Sequence, residues 1–191
     1  MKKALIIAGI ILLAIIGIST NNSIIDMKET STAQWANVES SYQRRADLIP
    51  NLVNTVKGYA DHEKETLTAV IEARAKATST TIDASNLSTA NIAAFQKAQN
   101  GLSSALSKLL VSVERYPDLK ANQNFLELQS QLEGTENRIN VERNRFNSSV
   151  KKYNTYIKKI PGIIFASAFS HEKMGYFTAS KGSDKAPEVK F

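Results

Sequence analysis

Several residue types are absent or scarce in this chain of 191 residues, and each scarcity excludes a class of protein. There is no cysteine, which excludes disulfides, thiolate metal sites, cysteine nucleophiles and a lipid-modified N-terminal cysteine. The 8 glycines and 4 prolines are too few for a loop-rich or disordered chain. No alternating apolar and polar run of useful strand length occurs, so the sequence predicts an ordered, all-α protein.

Histidine is also scarce, and the two that occur do not form a metal motif. His62 and His171 each precede a glutamate, as in a zinc-protease helix, but that motif needs a second histidine four residues later. Those positions hold Thr66 and Gly175. The serines of "GLSSALS", residues 101 to 107, lie in a helical pattern without an orienting base. We therefore expect no catalytic residue, no metal site, no cofactor and no enzymatic activity.

Long apolar runs are confined to the N-terminus, where no charge occurs from Ala4 to Ile25. A helix of this length covers about 33 Å, enough for a hydrocarbon core of about 30 Å. Residues 1–25 are therefore predicted to be a membrane anchor, although the shorter core from Ala4 to Ile18 also suits a cleaved signal peptide. The predicted anchor side chains are Leu5, Ile6, Ile7, Ile10, Ile11, Leu12, Leu13, Ile15, Ile16 and Ile18.

The charges that flank this segment predict its orientation. Lys2 and Lys3 precede it, whereas Lys28 on the far side is offset by Asp26 and Glu29. Positive charge favours the cytoplasmic side, so we expect a single-pass protein with its N-terminus inside and its body outside the cytoplasm, on the periplasmic or extracellular side.

Apolar residues recur at helical spacing through the rest of the chain, and they predict four helices in residues 26–160, at about 28–46, 48–77, 89–115 and 121–159. Residues 161–191 are predicted to be an apolar and then polar tail. Pro50 interrupts the first stripe, so either the helix kinks there or a new helix begins near Asp47.

Three charged residues, Arg45, Glu63 and Glu142, lie on these apolar stripes. Burial of an unpaired charge costs several kcal/mol, so each should pair or reach solvent. Structural pairing is the simpler interpretation. A small-molecule site near Arg45 and Glu63 is the alternative.

The net charge of +6 is concentrated near the C-terminal end of the last predicted helix. The lysines there recur at seven-residue spacing and therefore share one face, which is either solvated or contacts an anionic lipid or polymer rather than nucleic acid. This predicted basic stripe consists of Lys151, Lys152, Lys158 and Lys159.

The apolar part of the tail has two interpretations. It either packs over the open end of the helices, or Ile163, Ile164, Phe165 and Phe169 insert into a lipid surface.

The stretch "YQRRADLIPNLVNTVKGYADHEKETLTAVIEARAKA" closely resembles the LemA family of bacterial membrane proteins, as do "ERYPDLKANQNFLELQSQLEGTENRI" and "ERNRFNSSVKKYN". The resemblance implies one N-terminal membrane segment, an antiparallel up-and-down four-helix bundle and a new helix near Asp47 to Pro50. It implies no known activity, cofactor or ligand. The matching motif positions are Tyr42, Arg44, Arg45, Leu48, Pro50, Asn51, Leu52, Val53, Lys57, Gly58 and Tyr59.

Three functions are consistent with these features. The first is a non-enzymatic scaffold at the cell envelope that binds the membrane and either other copies of itself or other envelope proteins. The second is a ligand-binding or sensory domain. The third is an envelope hydrolase, which would need His62 beside paired carboxylates in a cleft.

Overall fold

The computed structural model describes residues 1–60 and 63–179, and its described part is helical without strands. The all-α prediction is therefore confirmed. The helices are α1 (Lys2–Lys57), α2 (Lys64–Ser79), α3 (Thr89–Val113), α4 (Pro117–Lys120), α5 (Gln123–Tyr156) and α6 (Gly162–Ala168). The main packing is of α1 against α5 and of α2 against α3, with α1 also contacting α2 and α6.

The first helix runs unbroken through Pro50, so the predicted boundary between helices at residues 46–48 is wrong. A proline cannot donate to the carbonyl four residues earlier, which here belongs to Ala46. Arg74 of α2 replaces the missing donor, because its Nε donates to the Ala46 oxygen at 2.7 Å. The proline ring is exposed to solvent, so it disturbs no packing in the core. The predicted helix 48–77 is consequently divided between the end of α1 and α2, which begins only at Lys64.

Side-chain caps fix the start of two other helices. The Ser88 hydroxyl accepts a hydrogen bond from the Asn91 amide at 3.3 Å and caps the start of α3. The Asn122 side chain accepts from the Phe125 amide at 3.1 Å and starts α5. Each cap satisfies a first-turn amide that has no partner within its own helix.

Two apolar clusters form the core. In the first, the Trp35 ring lies 5.1 Å from Phe95, 5.5 Å from Phe146 and 5.9 Å from Phe177, measured between ring centroids. We call this the aromatic cluster. The second, the aliphatic cluster, includes Ile49, Leu52, Val56, Val70, Leu102, Leu109 and Leu119. Helices α1, α3 and α5 contribute side chains to both clusters.

The tail is part of the core through residue 177. After α6 the chain extends from His171 to Ala179, and both Met174 and Phe177 are buried in the aromatic cluster. These residues therefore pack along the helices, and not over their open end as the first interpretation of the tail predicted. Residues 180–191 of the predicted tail lie outside the described part of the chain.

Candidate functional site

The most polar site in the core surrounds Arg45, whose side chain is 3 % exposed. Its Nη1 donates to the Ser103 hydroxyl and to a Glu136 carboxylate oxygen, both at 2.9 Å. Its Nη2 donates to the side-chain oxygen of Gln99 at 2.7 Å and to the Gln99 carbonyl at 3.3 Å. The guanidinium also lies 5.0 Å from the centre of the Tyr42 ring. One arginine of α1 thus connects α3 and α5.

This polar layer lies between the two apolar clusters. On α1, Arg45 stands between Tyr42 of the aromatic cluster and Ile49 of the aliphatic cluster. On α3, Gln99 stands in the same way between Phe95 and Leu102. The amide of Gln99 donates to the Ala77 carbonyl at 3.3 Å, so the layer reaches α2 as well. A buried polar group that matches partners on other helices fixes their register, because any shift would leave it unpaired.

The three charges on the apolar stripes pair as the sequence predicts. Arg45 pairs with Glu136, which lies beside the stripe of α5 and whose side chain is 47 % exposed. Glu63 accepts from the Arg115 guanidinium at 2.6 Å and from the Tyr116 hydroxyl at 3.0 Å.

The third of these charges has a local partner. Glu142 accepts from Arg145, one turn later on α5, at 2.9 Å. Structural pairing therefore describes all three positions.

Tyr42 is a further titratable group in the layer, and it is suited to packing rather than proton transfer. Burial raises the pKa of its phenol, while the charges of Arg143 and Arg45 oppose that shift. The ring contacts Phe95 at 5.1 Å in an edge-to-face arrangement. His62, which the hydrolase hypothesis needs, lies outside the described residues.

The motif shared with the family divides into an inner and an outer set. The buried members are Tyr42, Arg45, Leu52 and Val53. The exposed members are Arg44, Pro50, Asn51, Lys57, Gly58 and Tyr59, with Leu48 half-buried. The Tyr59 hydroxyl accepts from the Asn122 side chain at 2.9 Å, which connects the end of α1 to the start of α5. The inner set therefore has a structural role, and the outer set is accessible to a partner.

Two cavities test the ligand-site hypothesis. The space beside the polar layer, lined by residues that include Tyr42, Phe95 and Gln99, measures only about 80 Å³. A drug-sized ligand needs a site of about 300 Å³ or more, so this space is too small. A larger open groove of about 630 Å³ lies elsewhere, between α1 and α5, and its lining includes Met27, Gln34, Val141, Arg145 and Lys152.

The predicted basic stripe is not a single helix face. Lys151 and Lys152 are on α5, but α5 ends at Tyr156, so Lys158 and Lys159 lie in the turn that follows. The residue before a proline avoids helical geometry. Pro161 therefore ends α5 before residue 159, where the sequence predicts the end of this helix. All four lysines are exposed. The second pair therefore stands beside α6.

Sequence reasoning missed the side chains that hold the tail. The side-chain amide of Asn154 exchanges two hydrogen bonds with the Met174 backbone, at 2.9 and 3.0 Å. Asn147 does the same with Phe177, at 2.9 Å for each bond. Gln96 bonds both the amide and the carbonyl of Thr178. The sequence contains part of the information needed to find these side chains, because Asn147 and Asn154 are seven residues apart on α5 and share a face.

The predicted anchor, residues 1–25, forms the N-terminal part of α1. By length and composition this is one helix, near the N-terminus, that could cross a membrane. Its ten predicted anchor side chains are all exposed, with exposed fractions between 39 % and 72 %. Further along the helix Gly17, Thr20 and Ile24 are buried, so contacts with the body begin before the apolar segment ends.

Comparison with known proteins identifies a family. The model of the LemA family matches residues 34–191, which is most of the chain. No curated protein matches the chain. The matched region contains the whole motif from Tyr42 to Tyr59, the polar layer and the tail. On these grounds the chain belongs to the LemA family.

Proposed function

We propose that this protein is a single-pass membrane protein with a non-enzymatic scaffold or interaction role at the bacterial cell envelope. The observation that carries the proposal is the continuity of α1, in which exposed Leu and Ile side chains lead without a break into the packed body. Exposed aliphatic surface of this extent is unfavourable in water. Insertion into lipid removes that cost and tethers the body at the membrane surface.

The proposed body is an antiparallel up-and-down bundle of α1, α2, α3 and α5. The packing of α1 on α5, of α1 on α2 and of α2 on α3 supports this arrangement. Short connections between successive helices are typical of such bundles.

The scaffold role is supported by how the polar groups of the core are used. Nη1 and Nη2 of Arg45 and the side-chain amides of Gln99 and Asn154 form contacts between helices or with the tail. A site for turnover needs polar groups that face a substrate, whereas these face one another. A body of this kind is suited to presenting its surface, including the exposed motif residues.

Self-assembly follows from tethering, because copies in one membrane meet at high effective concentration and each contact can be weak. The absence of cysteine allows a clean test with single-cysteine variants. We expect Asn51→Cys in the exposed motif to crosslink between copies in intact membranes, and Val111→Cys, exposed on α3, to serve as the control. Equal crosslinking at both positions, or none at either, would contradict assembly through the motif surface.

Anchoring and sidedness have their own measurements. The full chain should remain in the membrane fraction after alkaline carbonate extraction. An impermeant thiol reagent applied to whole cells should label Val111→Cys but not Lys3→Cys, because the predicted orientation places the N-terminus inside. Recovery of the chain in the soluble fraction would refute the anchor. Labelling of Lys3→Cys alone would reverse the orientation.

A second candidate function is ligand binding, which the groove of about 630 Å³ between α1 and α5 favours. Its lining combines apolar groups such as Met27 and Val141 with the cations of Arg145 and Lys152, which suits an apolar anion. The fluorescent apolar anion anilinonaphthalene sulfonate is a suitable probe. Its binding should be lost in Ser148→Trp, which fills the groove, if this candidate is correct.

A further inference from the structure

The segment around α6 carries four exposed large apolar side chains that are close together in the chain. Ile160, Ile163, Ile164 and Phe169 fall within ten residues, and their exposed fractions lie between 48 % and 82 %. We call these four residues the α6 face. Single exposed apolar residues are ordinary, but a contiguous group indicates a contact surface.

The α6 face lies beside the predicted membrane segment. Phe165 turns inward from α6 and packs on Gly17 of α1, so closely that a Cβ atom at Gly17 would lie 2.8 Å from the phenylalanine ring. Gly17 is eight residues before Ile25, where the uncharged segment ends. At a rise of 1.5 Å per residue this is about 12 Å. The contact therefore places α6 beside the last two turns of the segment, within about 12 Å of the end from which α1 leads into the body.

A second contact holds the chain after α6 against the same helix. His171 is hydrogen-bonded through Nε2 to the Asn21 side-chain oxygen at 3.0 Å. With Phe165 on Gly17, this gives two attachments to α1 on either side of Phe169. The α6 face is thus fixed in position relative to α1.

Charge near the α6 face complements an anionic lipid surface. Lys158 and Lys159 are exposed and directly precede Ile160. The sequence contains no Asp or Glu from Arg143 to His171, so these cations have no acidic neighbour in that stretch of chain. Lysines that flank aliphatic and aromatic side chains are typical of segments that lie in the membrane interface.

We infer that the α6 face is a second membrane contact, which inserts into the interface of an anionic bilayer next to the point where α1 leaves it. In this contact Lys158 and Lys159 pair with the lipid phosphates. This inference rests on the proposed function, because it requires α1 to span the membrane. Its consequence is that the body is held in one orientation rather than turning freely on its tether.

The test uses the full chain, reconstituted in vesicles of phosphatidylcholine with 30 % phosphatidylglycerol and labelled at single cysteines with an environment-sensitive fluorophore. Lipids that carry a nitroxide near the headgroup should quench label at Ile164→Cys and Phe169→Cys several-fold more than label at Val111→Cys. Val111 is 71 % exposed on α3 and is the control for a position in water. Label at Leu12→Cys, near the middle of the segment, reports insertion of α1 through quenching by lipids that carry the nitroxide deep on the acyl chain.

The outcomes separate the inference from the proposed function. If Leu12→Cys is quenched while Ile164→Cys and Phe169→Cys behave like Val111→Cys, the α6 face does not touch lipid and the anchor stands. If Leu12→Cys is also unquenched, the anchor and the inference both fail. Quenching at Leu12, Ile164 and Phe169 together supports both.

The charge requirement has a matched control. The double variant K158Q/K159Q should lower quenching at Ile164→Cys at least twofold in anionic vesicles, whereas K108Q, which removes an exposed lysine of α3, should leave it unchanged. Equal quenching in the double variant and in K108Q would overturn the contribution of the lysines to the contact.

Discussion

The hydrogen bond from Arg74 to the Ala46 carbonyl is the contact that allows α1 to continue through Pro50. Substitution Arg74→Met keeps most of the alkyl chain but removes the donor, which leaves the carbonyl without a protein partner. Hydrogen bonds from charged donors contribute about 1.5–3 kcal/mol. Arg74 is half-buried and water can replace part of the bond, so we expect a loss of about 1 kcal/mol.

A double-mutant cycle isolates this contact from other effects of removing an arginine. Pro50→Ala restores a backbone N–H at position 50 and gives the Ala46 carbonyl a partner within α1. Arg74→Met should therefore cost much less in the Pro50→Ala background, with a coupling energy of about 1 kcal/mol. The free energy of unfolding is obtained from urea titrations of the full chain in mild detergent, followed by circular dichroism.

The control is Arg44→Met, which removes an exposed arginine of α1 and should change stability by less than about 0.5 kcal/mol. If Arg74→Met costs the same with proline as with alanine at position 50, the carbonyl of Ala46 is not where Arg74 acts. The explanation for the unbroken helix would then be wrong.

Three further predictions concern the tail and the polar layer. Gly175→Ala should destabilise the protein by about 1–3 kcal/mol in thermal unfolding, because its Cβ would lie 2.7 Å from the backbone at the start of α3. The same substitution at Gly134, with no atom within 4 Å of a new Cβ, should instead stabilise it by about 0.5–1 kcal/mol. Arg45→Met should lower the free energy of unfolding in urea by about 2–4 kcal/mol, because it leaves buried acceptors unpaired. Glu136→Gln changes a half-exposed partner and should lower it by less than about 1 kcal/mol. Similar losses for the two variants would contradict this account of the layer. Burial, with the charge of Lys28, lowers the pKa of His171, so the folded state binds a proton at this imidazole less readily than the unfolded chain does. The stability of the protein should therefore fall as the pH drops below about 6.5. The urea midpoint of His171→Asn should show a weaker fall over the same range.

The sequence by itself determined the helical class, the apolar stripes and the family, because each depends on the identity and spacing of residues that are close together in the chain. The stripe residues Trp35, Val38 and Ile49 are all fully buried, as their three-four periodicity predicts. The pairing of Arg45, Glu63 and Glu142 was likewise predictable as a requirement, since burial of an unpaired charge is costly. The partners of Arg45 and Glu63 were not predictable, because Glu136 lies on another helix and Arg115 lies in the turn after α3, 52 residues beyond Glu63.

Only the tertiary structure decided three features, and each depends on residues far apart in the chain. The path of α1 through Pro50 depends on a donor from α2, which local propensity does not contain. The place of Phe177 in the core depends on amides of α3 and α5 that hold the tail beside them. The position of α6 depends on the absence of a side chain at Gly17. Periodicity determines which face of a helix is buried, whereas long-range hydrogen bonds and close contacts determine what lies against it.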